Sequence, residues 1–332
     1  MLAGEYEGGL ARPIMRGYLL KRLLTILPIL IGVSLVIFFL TTLIPGDVVD
    51  VLLESEVSPE LAARLRATLG LDKPFLVRYW GWASGLAQGD FGLSIINGRP
   101  VLSQILEMYG PSLELAIIAT VIGVLVGIPL GVLSATRQFH LTDDFLRLAS
   151  VIGFSLPAFW VGTLFLLLIS LYLPGFPILN FVPFSKDPVL NLKIMMVPGV
   201  TLGIAMVALI MRMTRSCVLE VIRAPFVTTA RSKGLNERVV LFKHVLRNAL
   251  IPVVTLVGLR FGYLIGGLVI VEEVFGIPGL GRLVIYSISK RDYPLVLGVV
   301  FFIALSFLVI NLLVDILYAV IDPRISYGKK TE

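Results

Sequence analysis

The sequence has few of the residues that build disulfides and metal centres. Cys217 is its only cysteine, so no disulfide can form within the chain. The only two histidines, His140 and His244, lie far apart and suggest no metal site. Charged residues are also scarce, at 15%, against about 25% in a typical soluble domain. This scarcity excludes a soluble globular enzyme, a disordered protein and a nucleic-acid binder.

Long apolar runs are abundant instead. Apolar residues make up 57% of the 332 residues, and the mean hydropathy is +0.95. A spanning helix needs about 20 largely apolar residues. Six stretches qualify: Leu23–Ile44, Leu113–Ala135, Leu148–Leu173, Ile194–Met213, Ala249–Val271 and Leu295–Ile321. None alternates like a membrane barrel strand, so the sequence predicts an all-α membrane protein with six transmembrane helices.

The basic residues indicate the orientation. The net charge is +6, and a basic excess in so apolar a chain is typical of cytoplasmic loops. With the N-terminus inside, the inside segments hold 17 Lys and Arg. The outside segments hold 10, or 5 without the first loop, which is too long to be informative. We therefore expect a multi-pass protein of the cytoplasmic (inner) membrane of a prokaryote, with both termini cytoplasmic.

This topology divides the chain into three parts. Residues 1–22 are expected to be a cytoplasmic segment, 23–321 a transmembrane domain and 322–332 a cytoplasmic tail. The first span has a basic entry, but its apolar run is too long for a signal peptide and no small-residue cleavage site follows. The domain includes a large external loop, 45–112, between the first and second spans, and a cytoplasmic loop, 214–248.

The external loop contains a predicted amphipathic helix. Ser58 is a natural N-cap and Pro59 suits the first helical position. Leu61, Leu65 and Leu69 then recur on one face. Two interpretations stay open: the loop lies on lipid headgroups, or it is a docking surface for an external partner.

Small residues recur at every fourth position in two spans. Gly123, Gly127 and Gly131 share a face of the second span, and a second set shares a face of the fifth: Gly258, Gly262 and Gly266. Small residues let helix backbones approach closely in lipid. The pattern indicates tight helix packing, with a moving helix contact during transport as the alternative.

The cytoplasmic segment 212–248 carries the most informative motif. It has eight basic residues and two acids, and it reads as two helical stretches around a bend at Ala224-Pro225-Phe226. A basic patch on anionic lipid would account for the charge alone. The order of residues is more specific: Thr228-Thr229-Ala230-Arg231-Ser232-Lys233-Gly234-Leu235 precedes Val245-Leu246-Arg247-Asn248-Ala249-Leu250-Ile251-Pro252. This order resembles the "EAA" coupling loop of ABC importer permeases, with Thr228-Thr229-Ala230 in place of Glu-Ala-Ala and Arg247 where proline is common.

The resemblance covers essentially the whole chain. It includes Tyr18-Leu19-Leu20-Lys21-Arg22-Leu23-Leu24, Pro45-Gly46-Asp47, Leu69-Gly70-Leu71-Asp72-Lys73-Pro74, Gly89-Asp90-Phe91-Gly92, Glu272-Glu273-Val274-Phe275-Gly276-Ile277-Pro278-Gly279-Leu280-Gly281, Asn311-Leu312-Leu313-Val314-Asp315 and Asp322-Pro323-Arg324. The chain is similar to the first permease subunit of dipeptide, oligopeptide and nickel importers. That resemblance implies a type I ABC importer permease fold.

The same resemblance implies partners. They are a second, homologous permease subunit, two ATP-binding subunits and an external solute-binding protein, with membrane lipid around the chain and no nucleic acid. The sequence has no Gly-x-x-x-x-Gly-Lys-Ser/Thr phosphate loop. We therefore expect a chain that is not an enzyme and holds no cofactor, ATP and Mg being bound by partner subunits. The implied solutes are di- or oligopeptides, while nickel complexes and glutathione stay open.

The resemblance also implies which residues couple the permease to its ATPase. A short helix that begins at Pro225 and ends near Gly234 is expected to sit in a groove of the ATP-binding subunit. Phe226 is its expected anchor, Arg231 and Lys233 are expected to pair with acidic groove residues, and Gly234 is expected to be left-handed. The full set is Ala224, Pro225, Phe226, Thr229, Ala230, Arg231, Lys233, Gly234 and Leu235.

Other candidates lie along the spans and outside them. Arg260 is near mid-depth of the fifth span, where a charge faces a bundle interior or a water-filled cavity. It is expected to line the translocation path or to form a structural pair. Gly262, Asn311 and Asp315 are further path candidates, with hydrogen bonding to a neighbouring helix as the alternative for Asp315. Expected external docking residues are Glu273, Phe275, Pro278 and Gly279. Glu114, at the start of the second span, is expected to interact with the N-terminal dipole of that helix.

Two other classes of protein are less compatible with the sequence. A stand-alone secondary transporter or channel would need intramembrane acidic or histidine relays, and often a repeat. An intramembrane enzyme would need a nucleophile–base pair or metal ligands within the spans. Neither pattern is evident, which favours the importer permease.

Overall fold

A computed structural model describes residues 11–43, 49, 59–68, 70–177 and 180–321, and among these no β-strand forms. The helices in chain order are α1 (Ala11–Leu43), α2 (Pro59–Thr68), α3 (Phe75–Ala87), α4 (Val101–Thr136), α5 (Leu141–Ser155), α6 (Ala158–Tyr172), α7 (Pro188–Val221), α8 (Pro225–Ser232), α9 (Glu237–Gly267), α10 (Val269–Phe275), α11 (Leu280–Ser289) and α12 (Tyr293–Ile321). Five are long and apolar enough to cross a membrane, and the bent pair α5–α6 makes a sixth span if it is counted as one. The all-α membrane fold is therefore confirmed.

The helices extend beyond several of the predicted spans, such as Ala11–Leu43 and Pro188–Val221, and three spans differ in ways that bear on the candidate residues. The second helix begins at Val101, not Leu113, because the polar turns before Leu113 continue the same helix. Glu114 accordingly lies inside α4 and not at a helix start, and its carboxylate accepts from the Asn191 side chain at 3.3 Å. The third span is not one helix: α5 and α6 meet at 96°, since Pro157 cannot continue the ladder of α5. The fifth span is interrupted at Leu268.

The glycine stripe of α4 packs against α7. A Cβ on Gly123 would lie 2.8 Å from Met206 Cβ, and one on Gly131 would lie 2.6 Å from Thr214 Cβ. Only glycine allows the two backbones to approach this closely. The predicted packing role of Gly123, Gly127 and Gly131 is confirmed, and α4 with α7 forms the spine of the bundle.

A similar contact joins α9 to α12. A Cβ on Gly258 would lie 2.5 Å from Val314 Cγ2, and one on Gly262 would lie 3.3 Å from Asn311 Oδ1. Gly266 is looser, at 3.6 Å from Ile303 Cγ2. This contact places two of the path candidates, Gly262 and Asn311, at one seam.

Aromatic residues of α3 pack onto α1. Tyr79 donates to or accepts from Ser34 Oγ at 2.9 Å, and Phe38 lies edge-on to Phe75 and Tyr79. Trp80 stays exposed on the other face of α3. Helix α2 begins at Pro59 as predicted, whereas Ser58, Leu69 and the tail 322–332 lie outside the described residues.

Candidate coupling and translocation sites

The predicted coupling helix is present as α8. Ala224 is extended and Pro225 occupies the first turn, where its missing N–H leaves no carbonyl unpaired. Val227 and Ala230 are buried against the rest of the chain, while Phe226 is 46% exposed. Ala230 therefore faces inward and is not available to a partner, which corrects its inclusion in the contact set. The exposed face is left to Phe226, Thr229 and the residues after them.

The end of α8 has the backbone predicted for it. Gly234 has φ +76° and its amide donates to Arg231 O at 2.9 Å. Glycine adopts a left-handed backbone conformation at little energetic cost. Leu235 follows, 40% exposed. The predicted helix termination is thereby confirmed.

Arg231 already has an acid within the chain. Its Nε donates to Glu237 Oε1 at 2.7 Å and its Nη2 to Oε2 at 3.3 Å. The pair is exposed, so its net contribution to stability is small. Lys233 is exposed and has no ion pair in the described part of the chain. The expected pairing of Arg231 with an outside acid would have to compete with Glu237.

The helix after the coupling segment has an unpredicted feature. Residues Val240–Leu246, at the start of α9, are π-helical. π-Helical segments are rare in proteins, and those that occur are often found at functional sites. Val240 and Val245 are buried here in the same apolar cluster as residues of α8, so the π-helical segment packs against α8.

Arg260 lies on α9 without an acidic partner. Within the described part of the chain its guanidinium makes no ion pair, and its Cζ lies 6.0 Å from the centroid of the Tyr263 ring. Tyr263 is itself exposed. The intramolecular pair that was the alternative for Arg260 is absent among these residues. A charge at this depth needs water or a ligand group.

The other path candidates do not form an open surface with Arg260. Gly262 is buried against α12 and so does not line a path in this structure, which corrects its assignment. Asn311 Oδ1 is buried at the same seam with no hydrogen bond among the described residues. Asp315 pairs with Arg22 of α1 at 3.2 Å, which favours the structural alternative for that residue.

The predicted docking segment is only partly on the surface. Glu273 is exposed and pairs with Arg282 at 3.2 Å. Phe275, by contrast, is buried and its ring lies against Gly162 of α6. Gly279 is buried too, because the Glu272 carboxyl group fills the space beside it. Phe275 and Gly279 are therefore structural; Glu273 and Pro278 stay at the surface.

The carboxylate of Glu272, the residue before Glu273, lies inside the protein. It is fully buried. Its Oε1 accepts from Ser112 Oγ at 2.6 Å, and its Oε2 accepts from the amides of Gly281 and Arg282 at 2.8 and 3.3 Å. Burial raises the pKa of Glu272, and these hydrogen bonds oppose the rise. Glu272 thus caps the first turn of α11 and ties it to α4.

A second carboxylate holds the other end of α11. Asp292 is fully buried; its Oδ2 accepts from Ser94 Oγ at 2.5 Å and its Oδ1 from the Ile95 amide at 3.3 Å. Glu272 therefore ties one end of α11 to α4, and Asp292 ties the other end to the segment that leads into α4. No local signal marks either role, because Ser112 and Ser94 lie far away in sequence.

A third buried acid lies between α5 and α7. Asp143 is buried and accepts from Arg215 Nε and Nη2 at 2.8 and 2.7 Å, and from Ser134 Oγ at 2.5 Å. The sequence placed Asp143 and Arg215 in two separate inside loops. The described residues contain no group of three His, Cys, Asp or Glu side chains that could hold a metal ion.

Comparison with known proteins agrees with this architecture. The family model described as "Binding-protein-dependent transport system inner membrane component" matches residues 127–327, and the model of its N-terminal part matches residues 15–116. The glutathione transport system permease protein GsiC of Salmonella typhimurium (strain LT2) is 39% identical over 313 residues, covering 94% of this chain and 100% of the relative. GsiC of Escherichia coli (strain K12) is 38% identical over the same shares.

Solved structures agree at the level of the fold. An inward-facing conformation of the MetNI methionine ABC transporter matches with a TM-score of 0.50 and 16% identity, covering 67% of this chain and 97% of that one. The family matches cover most of the chain, and the relatives match it along their whole length. The chain therefore belongs to the binding-protein-dependent inner membrane components, as an ABC importer permease of the peptide/nickel family that works with ATP-binding and solute-binding partners.

Proposed function

We propose that this chain forms half of the translocation path of an ATP-driven importer for small peptides that carry free carboxylates, with glutathione as the first candidate. The observation that supports it best is the full-length identity of 39% with a glutathione transport permease. Other di- or oligopeptides are the next candidates. Nickel complexes come after them.

The charges of the spans support an anionic solute. Two acids of the membrane helices are paired with arginine within the chain, Asp315 with Arg22 and Asp143 with Arg215. Glu114, among the described residues, has only the neutral Asn191 amide on one oxygen. Arg260 has no acidic partner in the described part. A peptide carboxylate would complement it, since charge-assisted hydrogen bonds to arginine are strong in a low-dielectric site. A bare divalent cation would be repelled there.

The coupling residues complete the proposal. Helix α8 docks in a groove of the ATP-binding subunit through Phe226, Thr229, Lys233 and Leu235, and it moves as a rigid body when two such subunits close on ATP and Mg. A second, homologous permease supplies the other half of the path. The binding protein docks outside on Glu273 and Pro278. Both termini lie in the cytoplasm.

Transport by the reconstituted complex tests the solute. The complex, purified with its co-purifying subunits, is placed in proteoliposomes with its binding protein, and uptake of labelled glutathione, a dipeptide and Ni²⁺ is compared with and without ATP. We expect ATP-dependent glutathione uptake and stimulation of ATP hydrolysis. Uptake of the dipeptide or of nickel with none of glutathione would contradict the glutathione assignment.

A further inference from the structure

A polar cleft opens between α5 and α7, beside the end of α7 that leads to the coupling helix. It has a volume of about 530 Å³, and its charged lining consists of three arginines, Arg147, Arg212 and Arg215, and one acid, Asp144. This cleft is separate from Arg260 and from the external residues described above. Three guanidinium groups around one cavity form a candidate anion site.

Arg215 is fixed in place by the buried acid behind it. Asp143 accepts from its Nε and Nη2 at 2.8 and 2.7 Å, and Ser134 holds the same carboxylate at 2.5 Å. A guanidinium has five N–H donors, so the bidentate pair leaves further donors of Arg215 for a ligand. The site therefore has one preorganised wall.

The cleft carries an excess of positive charge. Arg212 makes no ion pair or hydrogen bond with any side chain of the described residues. Among the described residues, the ion pair that Arg147 makes is with the exposed Asp144, at 3.4 Å, and Arg147 also lies close enough to Asp143 to interact with its charge. Exposed pairs of this kind are weak. Arg147 and Arg212 are therefore available to an anion from outside the chain.

The rim of the cleft is aliphatic. Leu148 and Val151 line it on the α5 side and are 59% and 50% exposed. Phe145, one turn earlier on α5, is 69% exposed. A ligand that fits both the guanidinium groups and this rim has an anionic head and hydrocarbon chains.

We infer that the cleft binds the phosphate headgroup of an anionic phospholipid, with the acyl chains along Leu148 and Val151. The inference rests on the proposed orientation, which places this end of α7 at the cytoplasmic leaflet. Anionic lipids concentrate in that leaflet, and basic pockets between membrane helices bind their headgroups. Free inorganic phosphate has the same charged group as the lipid headgroup, but it has no hydrocarbon chain to contact the apolar rim.

Native mass spectrometry of the assembled transporter tests the site. The complex is purified in mild detergent and incubated with phosphatidylglycerol, cardiolipin or phosphatidylethanolamine, and retained lipid is counted for wild type, R212Q and R147Q/R212Q. Arg215 is left unchanged, because removing it would leave Asp143 buried and unpaired. We expect selective retention of phosphatidylglycerol or cardiolipin, reduced about 30-fold in the double variant, since each basic residue contributes about 1 kcal/mol to such binding.

Arg137→Gln is the matched control. Arg137 is an exposed arginine beside the end of α4 and lines no part of the cleft. Equal retention by wild type and R147Q/R212Q would overturn the inference. So would retention of phosphatidylethanolamine as strong as that of the anionic lipids, or complete displacement by millimolar inorganic phosphate. Absence of retained lipid would also overturn it and indicate a cleft covered by a protein partner. Lipid counting in detergent depends on neither solute nor sidedness, so it separates this inference from the proposed function.

Discussion

Single residues decide two properties of the proposed transport cycle: where the coupling helix ends and where a charge meets the solute. Gly234 and Arg260 are the positions concerned. Gly234 is constrained by its backbone, and Arg260 stands out because it has no acidic partner among the described residues. Their substitution separates coupling from solute passage.

Gly234→Ala should weaken coupling. The φ of +76° is unfavourable for alanine by about 1 kcal/mol, while the new Cβ would meet no atom within 4 Å. The effect is thus one of backbone strain alone. We expect a reduced stimulation of ATP hydrolysis by solute-loaded binding protein. Gly98→Ala, at φ +69° and equally open, is the external control; identical coupling in both variants would remove the role assigned to Gly234.

Arg260→Gln should lower uptake of anionic peptides. A hydrogen bond to a charged group contributes about 1.5–3 kcal/mol, so the apparent affinity for glutathione should fall about tenfold or more. Arg260→Lys should restore part of it. Uptake by proteoliposomes measures the effect, with Arg64→Gln on the exposed face of α2 as control. Unchanged transport of every solute would exclude Arg260 from the path.

At the scale of elements, the spans are held by close backbone contacts and α11 by buried carboxylates. The α4–α7 contact depends on glycine, and the position of α11 depends on Glu272 and Asp292. Each device gives a prediction about stability.

Gly131→Ala should destabilise the bundle. The added Cβ would lie 2.6 Å from Thr214 Cβ and 2.7 Å from Met211 O, so the helices must separate. Overpacking of this kind costs about 1–3 kcal/mol. Thermal unfolding of the purified complex should show a lower Tm. Gly110→Ala, on the same helix with open space around it, should leave Tm unchanged or raise it; equal effects would mean that α4 and α7 do not pack through glycine.

The attachment of α11 should depend on pH through Glu272. Its pKa is raised mainly by burial, so the folded state holds the proton to a higher pH than the unfolded chain does. This contribution to stability is present at low pH and is lost as pH rises from the ordinary glutamate value through the raised one. Glu272→Gln, which stays neutral, should flatten the dependence of Tm on pH over that window. Exposed Glu273→Gln should not, and the same slope in both variants would contradict the assignment.

The whole molecule has a direction in the membrane that its charges predict. The coupling helix and both termini are expected inside, and α3 outside. Single cysteines test this in a Cys217→Ser background, so that each variant carries one thiol. Cys217 is itself buried. Ser84 of α3 and Ser232 of α8 form a matched pair: both are exposed and bond only to a carbonyl of their own helix.

We expect Ser84→Cys to react with a membrane-impermeant maleimide in intact cells, and Ser232→Cys to react only after the membrane is opened. The reverse pattern would place α8 outside. It would exclude α8 as the contact with an ATP-binding subunit, whatever the solute.

The sequence by itself determined the apolar spans, the coupling helix and the left-handed Gly234, because these depend on residue type within a few turns. The glycine stripes likewise indicated which faces pack. Only the tertiary structure decided the 96° break between α5 and α6 and the burial of Phe275. It alone paired Asp143 with Arg215 and Glu272 with Ser112, the latter 160 residues apart. A buried charge is stable only with its partners in place, and those partners come from other helices that no local pattern identifies.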